Sequence, residues 1–470
     1  MIDIVFCSVP GTFTARPVLA PAVLKSCAQQ AGFQCSAIDL NIEVMNMVER
    51  HPKKTVIEDF FKLQRIHPDI VQDIGDMIEY CANRIISSNC PQVGLSLLTQ
   101  DNQFFAIWLC YHLKTIKPEL KILIGGSGIK NFITESTMSF AQLLKEHGYI
   151  DDYINGDGEH SIVEYLQGNR AYAGINSGTW TPITDLNALP FPDFDDYDFA
   201  QYTDPGIPIC DSRGCVRTCE FCDIIEHWKR YQYRTAENIF AEMQHQIKKY
   251  NITRFYFYNS LTNGNMKQFQ RLLDLICDYN QANPHGQISW DGYFIVRNAQ
   301  QHPETFWQKI KKSNGALQLG IESVVQRVRV SLGKNFTNAD IDYHLEMAQK
   351  YRIRLLLLLI VAYPTETLDD FEFTKQWFRE RRRFAPHTIT SVVCSLAAIL
   401  PNTELQRKQK SYGIVSGSVP TVWMIPETDI STQDRLIYQQ EIIDLLRELN
   451  MNPDNGGDTN VKVTMEESTA

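Results

Sequence analysis

No apolar run in this 470-residue chain reaches the ~18 residues that a membrane-spanning helix needs. The longest, Leu355–Val361, is seven residues, which suits a strand buried on both faces of a parallel sheet. The N-terminal residues Met1-Ile-Asp-Ile-Val-Phe6 carry no basic stretch ahead of their apolar ones, so no targeting peptide is expected and the chain reads as cytoplasmic. An excess of positive charge is also missing: the net charge is −10, against the basic stripe that a broad nucleic-acid surface requires. The one basic cluster, Arg379-Glu-Arg-Arg-Arg383, reads as the solvated end of a helix. A second Cys-x-x-Cys-like pair, usual in zinc-binding runs, is absent. Without a secretory signal a disulfide framework is not expected either. What remains is ordinary soluble globular composition, 44% hydrophobic and 21% charged, long enough for two to three domains of ~150 residues.

Cysteine is present, and unevenly. Nine of the twelve are scattered (Cys7, Cys27, Cys35, Cys81, Cys90, Cys110, Cys210, Cys277 and Cys394) and read as small hydrophobes. The other three share one short loop, Cys215-Val-Arg-Thr-Cys219-Glu-Phe-Cys222. Thiolates are soft ligands that select zinc, copper(I) or iron–sulfur clusters. Three of them on a four-iron cluster leave one iron open, and an open coordination position is the mark of chemistry rather than structure. The alternative is a compact zinc knot with Cys210 as fourth ligand.

Around this loop the chain alternates strand-like and helix-like segments. Ile2–Ser8, Gln34–Leu40, Val93–Leu98 and Lys121–Ile124 read as strands, and Pro21–Gln30 and Val56–Ser88 as helices. Such alternation predicts a doubly wound parallel sheet with ligands at strand carboxyl ends. There lie Ser96, Gly125-Gly-Ser-Gly128 and Gly156-Asp-Gly-Glu159, although tight turns need glycine in any case. From Ile207 to about Arg379 the alternation resumes, as in a partial or full β/α barrel whose site lies at the strand carboxyl ends. Those ends carry Asn259 and Ser260, Arg297, Gly320-Ile-Glu-Ser323 and Ala362-Tyr-Pro-Thr-Glu-Thr367. Asn, Ser and Glu there also serve as turn caps, and Arg234 and Arg297 either bind an oxyanion bidentately or make structural ion pairs. The expected organisation is α/β: residues 1–165, a Pro- and Asp-rich linker 166–205, the barrel 206–385, and a small, mainly helical region 386–470 in which Gln433–Leu449 is helical and 453–470 frays.

The strand–loop–helix opening, with cysteines at this spacing and Phe221 just before the last, resembles the radical S-adenosylmethionine (SAM) superfamily. The resemblance implies that Cys215, Cys219 and Cys222 hold a [4Fe–4S] cluster. SAM would chelate the fourth iron and be cleaved by one electron to a 5′-deoxyadenosyl radical. Phe221 would lie near the adenine, Gly214 would allow the tight turn, Asn259 and Ser260 would meet the methionyl amine, and Glu322 and Ser323 the ribose or methionine group. Ala362–Glu366 is similar to the family's Gly-x-Pro-x-Glu turn, with Ala362 in place of glycine. The resemblance also implies an external electron donor such as flavodoxin or ferredoxin, and leaves the substrate unknown.

The order Val93-Gly-Leu-Ser96, Gly125-Gly-Ser-Gly128, Gly156-Asp-Gly-Glu159 and Pro190-Phe-Pro-Asp193, ahead of the cysteine loop, resembles the cobalamin-binding-domain subgroup over most of residues 1–380. It implies an N-terminal Rossmann-like domain holding cobalamin, with Ser96, Gly125, Gly126, Gly156 and Glu159 on the cofactor side, and a methyltransferase acting on an unactivated carbon. One departure stands out. The Asp-x-His-x-x-Gly motif, whose histidine ligates cobalt, is missing: the corresponding loop, Val9-Pro-Gly-Thr-Phe-Thr-Ala-Arg16, has no histidine. A Rossmann-like domain without cobalamin, and a radical SAM enzyme catalysing rearrangement, cyclisation or oxidation, remain the alternatives, with a zinc-stabilised binding protein further off.

Overall fold

All five residues of Ile4–Ser8 (β1) are buried, as a strand covered on both faces requires. The structure is a computed structural model and describes residues 2–11, 16–130, 138–228, 230–258, 261–417, 420–428 and 431–454. Two compact units divide the chain, Met1–Pro208 and Ile209–Ala470.

In the first unit β1 is joined by β2 (Cys35–Ile38), β3 (Gln92–Ser96), β4 (Lys121–Gly125) and β5 (Asp152–Ile154). All pairings are parallel, in the order β2-β1-β3-β4-β5. The order reverses between β1 and β3, paired Val5↔Val93 to Ser8↔Ser96, and this switch point is where doubly wound sheets bind ligands. The expected helix 56–88 is instead two, Lys54–Leu63 and Val71–Ser87. Pro68 is the reason: it opens a short 3₁₀ turn after an extended His67, since a residue before proline avoids the helical region. Asp39, expected at a strand end, caps a further helix, Leu40–Glu49, by accepting the Ile42 N–H. The Pro- and Asp-rich stretch does not stand free of this unit. Tyr202 donates to the buried Asp39 carboxylate at 2.6 Å, and Lys25, almost fully enclosed, pairs with Asp196 at 2.6 Å and Asp193 at 3.3 Å.

The second unit is built on β6 (Ile207–Ile209), β7 (Arg254–Phe257), β8 (Ser289–Phe294), β9 (Gly315–Glu322), β10 (Leu355–Val361), β11 (Ile389–Leu396) and β12 (Pro453–Asp454). Their spatial order follows the chain, with β6 at one edge and β12 at the other, and the pairings from β7 to β12 are parallel. Helices Ala236–Tyr250, Met266–Ala282, Glu304–Lys312, Asn338–Tyr351 and Leu368–Glu380 connect successive strands, the topology of an open β/α barrel. Strand β11 belongs to this sheet although residues 386 onward were expected to be mainly helical. Its Ser, Thr and Cys positions and the preceding Pro386 hide the strand pattern. The helix near the C-terminus spans Thr432–Glu448. Among the described residues no helix is long and apolar enough to cross a membrane.

Candidate active site

A two-stranded antiparallel ribbon, Ser212–Arg213 against Gln232–Tyr233, lifts the cysteine loop off the carboxyl end of β6. Gly214 makes the closure possible. Its φ is +78°, and a Cβ there would sit 2.5 Å from the Arg230 carbonyl oxygen, so only glycine fits. Beyond it the Arg217 N–H points at the Cys215 sulfur at 3.4 Å, and the Cys222 N–H donates to the Cys219 carbonyl at 3.1 Å.

The three thiols are free and half-buried. Burial pushes the Cys222 thiol up to about 12 and raises that of Cys219, which feels Lys334, Glu322 and Cys215 as neighbours. Thiols this reluctant to ionise give up their protons to a bound metal rather than to water. Among the described residues no three Cys, His, Asp or Glu side chains are gathered tightly enough to hold a metal ion. The donor set is nevertheless all sulfur, on one loop, in mutual electrostatic reach, and fits an iron–sulfur cluster better than a harder ion. The Cys210 sulfur donates to the Ser212 carbonyl at 3.5 Å.

Two strand ends meet this loop with strained backbone. At the end of β9 a bulge between Gly320 and Glu322 leaves Glu322 at φ +58°, an uncommon conformation for a side chain other than glycine. Its buried carboxylate pairs with Lys334 at 2.6 Å, and Lys334 also donates to the Gly320 carbonyl at 2.8 Å. A Cβ on Gly320 would come within 2.9 Å of both partners. Ser323, buried next to it, accepts the Val325 N–H at 3.1 Å, while its carbonyl receives Arg329 at 2.7 Å. At the end of β10, Ala362 takes φ +56° and donates its N–H to the Glu366 carboxylate at 2.6 Å. Burial holds the Glu366 carboxyl up to about 7. Asn259 and Ser260 lie outside the described residues.

Phe221 packs one side against an apolar cluster that includes Val328, Leu332, Tyr363 and Ile399. Arg234 forms a buried ion pair with Glu242, the structural role weighed for it. Arg297 pairs with no carboxylate among the described residues: it donates to the Asn263 carbonyl at 3.0 Å, and burial, with the nearby Arg217 guanidinium as a smaller cause, lowers its basicity. Behind Arg297 runs a buried neutral chain that sequence reading missed. His344 Nδ1 donates to the Asp340 carbonyl at 2.8 Å, so its Nε2 accepts from His302 Nδ1 at 3.1 Å. His302 Nε2 then faces the Asn263 amide at 3.4 Å.

Burial, with His344 and Arg297 close by, pushes His302 down to about 2, and burial pushes His344 to about 4. Unfolded histidine titrates near 6.5. The unfolded chain therefore binds the extra protons first as pH falls, and stability is complete above about 6.5 and declines below it by roughly 1.4 kcal/mol per pH unit for each histidine. Urea melts between pH 7 and 5 should show this slope in the wild type and a shallower one in His302→Gln.

In the first unit the candidate residues fall at the switch point or beside it. Ser96 ends β3, and its carbonyl accepts the Val9 N–H at 3.0 Å. Asn102, unremarked in sequence, ties the two loops there. It donates to the Val9 and Pro10 carbonyls at 2.8 and 3.1 Å and accepts the Leu98 and Thr99 N–H groups, each at 2.8 Å. Gly126 is demanded by packing, since a Cβ would lie 2.2 Å from the Leu97 carbonyl oxygen. Gly125 is not so constrained, with its nearest contact at 3.4 Å. At Gly156 the space is filled by the Trp180 indole, 2.1 Å from where a Cβ would stand, which accounts for that glycine without a ligand. Glu159 is buried in the first turn of the helix Gly158–Leu166. Half of the His-free loop, residues 12–15, lies outside the described residues.

Residues 209–378 match the family described as the Radical SAM superfamily, and with the cysteine loop and strand ends in place the second unit is a radical SAM domain. A domain of this family implies a [4Fe–4S] cluster and SAM. The chain is similar to an uncharacterized methyltransferase of Pyrococcus horikoshii, 24% identical over 315 residues, a match spanning 62% of this chain and 64% of the relative. Less than two thirds of that relative is thus represented. In fold the chain is similar to TsrM, a radical SAM methyltransferase from Kitasatospora setae solved with cobalamin and a [4Fe–4S] cluster. The TM-score is 0.60 at 14% identity over 93% of this chain and 84% of TsrM. It is likewise similar in fold to OxsB, a cobalamin-dependent SAM radical enzyme solved with aqua-cobalamin and SAM, at TM-score 0.66 and 14% identity over 94% of this chain and 67% of OxsB.

Proposed function

We propose that this chain is a cobalamin-dependent radical SAM methyltransferase acting on an unactivated carbon. The observation that carries the reading is the presence, in one chain, of a 2-1-3-4-5 parallel sheet and a cysteine-loop barrel; TsrM and OxsB, to which the chain is similar in fold, were solved with cobalamin bound. When bound, the cluster would supply an electron for SAM cleavage and cobalamin would carry the methyl group, the protein orienting both.

The chain's own residues have narrower tasks. Cys215, Cys219 and Cys222 would hold the cluster. Glu322, paired with Lys334, would accept hydrogen bonds from the SAM ribose or amine, and Asn259, Ser260 and Ser323 would add polar contacts. Arg217 and Arg297, which meet no carboxylate among the described residues, would attract an anionic group. In the first unit Ser96 and Gly125 would border cobalamin at the switch point, whereas Gly126, Gly156 and Glu159 would shape the walls. The loop after β1, Val9–Arg16, carries no histidine that could ligate cobalt.

Anaerobically purified and reconstituted protein is expected to bind cobalamin in about one-to-one ratio with a full complement of iron and sulfide. Cobalt analysis and the corrinoid absorption spectrum test it. Full iron loading with no cobalamin taken up would reject the methyl-carrier part and favour a rearrangement, cyclisation or oxidation by the same radical domain.

A further inference from the structure

Residue 220 sits between two of the three cysteines, yet its carboxylate turns away from them and is almost fully enclosed by protein. Oε1 accepts from Lys408 Nζ at 2.6 Å, and Oε2 accepts from the Tyr363 and Tyr412 hydroxyls at 3.1 and 3.0 Å. The backbone is held as well: the Glu220 N–H donates to the Leu332 carbonyl at 3.1 Å, and its carbonyl accepts the Leu405 N–H at 2.8 Å. These partners come from the turn after β10, from the end of the helix Gln326–Ser331, and from the segment around the helix Glu404–Arg407. The next residue, Phe221, packs into the apolar cluster those segments share.

We propose that Glu220 is a positioning residue for the cluster, fixing the Cys219–Cys222 half of the loop to the C-terminal segment and setting, with Lys408, the charge beside it. The inference rests on reading the three thiols as cluster ligands. Three arguments support it. A residue adjacent to a ligand and held at both backbone groups and both carboxylate oxygens transmits its position to that ligand's Cα. The charge-assisted bonds to a buried carboxylate are the strong kind, and outer-shell partners of ligands tune metal affinity and potential. The hydroxyls of Tyr363 and Tyr412 are made harder to ionise by burial and by this same carboxylate, so both remain donors.

The test compares Glu220→Gln, Lys408→Met, the double variant and Glu220→Ala in the full-length reconstituted protein, reading iron per chain and the midpoint potential of the cluster. Glu220→Gln keeps the shape but leaves Lys408 uncompensated, so the cluster should form with a potential shifted positive. Lys408→Met should shift it negative, and the double variant should return towards wild type. Glu220→Ala, which removes the anchor, should lower iron content several-fold. Iron content and potential equal to wild type in Glu220→Gln and Lys408→Met would overturn the proposal even if both variants were less stable. A wild-type chain that takes up no iron would overturn the cluster reading itself, a separate result.

Discussion

Replacement of Cys219 by alanine is expected to abolish reductive cleavage of SAM, with 5′-deoxyadenosine formation falling more than ~100-fold, beyond the range typical of outer-shell changes at metal sites. Cys219 is the middle cysteine of the loop and has Glu322 and Lys334 as electrostatic neighbours. Its contribution to the fold is through backbone, the carbonyl receiving the Cys222 N–H, and alanine preserves that. The variant should therefore fold, with near-wild-type far-ultraviolet circular dichroism, while losing iron and product. Cys210→Ala is the control. Its sulfur donates to the Ser212 carbonyl at 3.5 Å, so cluster content and SAM cleavage should be retained. Loss of metal in Cys210→Ala, with zinc as the metal, would support the four-cysteine knot instead.

Lys334→Met is expected to be the most destabilising single exchange at the strand ends, by roughly 3–5 kcal/mol, the range for breaking a buried ion pair from one side. Glu322 would be left charged, buried and strained at φ +58°, with the Gly320 carbonyl also losing its donor. Urea unfolding of the full chain measures the loss. Replacing both partners, Glu322→Gln with Lys334→Met, should recover a substantial part of it, because no uncompensated charge remains. The two variants should nonetheless both bind SAM more weakly than wild type if Glu322 meets the cosubstrate. Equal SAM affinity in the double variant and wild type would confine the pair to a structural role.

Much of this was legible along the chain because its signals are local. Strand–helix alternation is set by apolar period over a few residues, and it located β1, β3 and β4 to within a residue or two. The cysteine spacing needed no partner to be read. Where reading went astray the cause was also local: Pro68 divides a segment whose apolar period runs straight through it, and β11 is masked by its polar alternate positions.

The site's supports were not legible, since their partners are distant in sequence. Glu220 meets Tyr363, Lys408 and Tyr412, which lie 143, 188 and 192 positions on. His302 and His344 are 42 positions apart, and nothing in either segment marks a histidine that is held neutral. Trp180 against Gly156 and Asn102 between two loops are of the same kind.

The amino-acid sequence by itself determined the chemistry available here: soft ligands in a three-thiol loop, strands that must be covered on both faces, and polar residues at their ends. Those follow from residue type and spacing, which act over one turn or one strand. Only the tertiary structure decided how that chemistry is held. It chose which glycines are demanded by packing, paired Glu322 with Lys334, left Arg217 and Arg297 without a carboxylate among the described residues, and anchored the cysteine loop to the C-terminal segment. Each of these depends on burial, and burial is a property of the folded chain: whether a charge is stabilised, strained or left for a ligand is decided by which distant residue the fold brings to it.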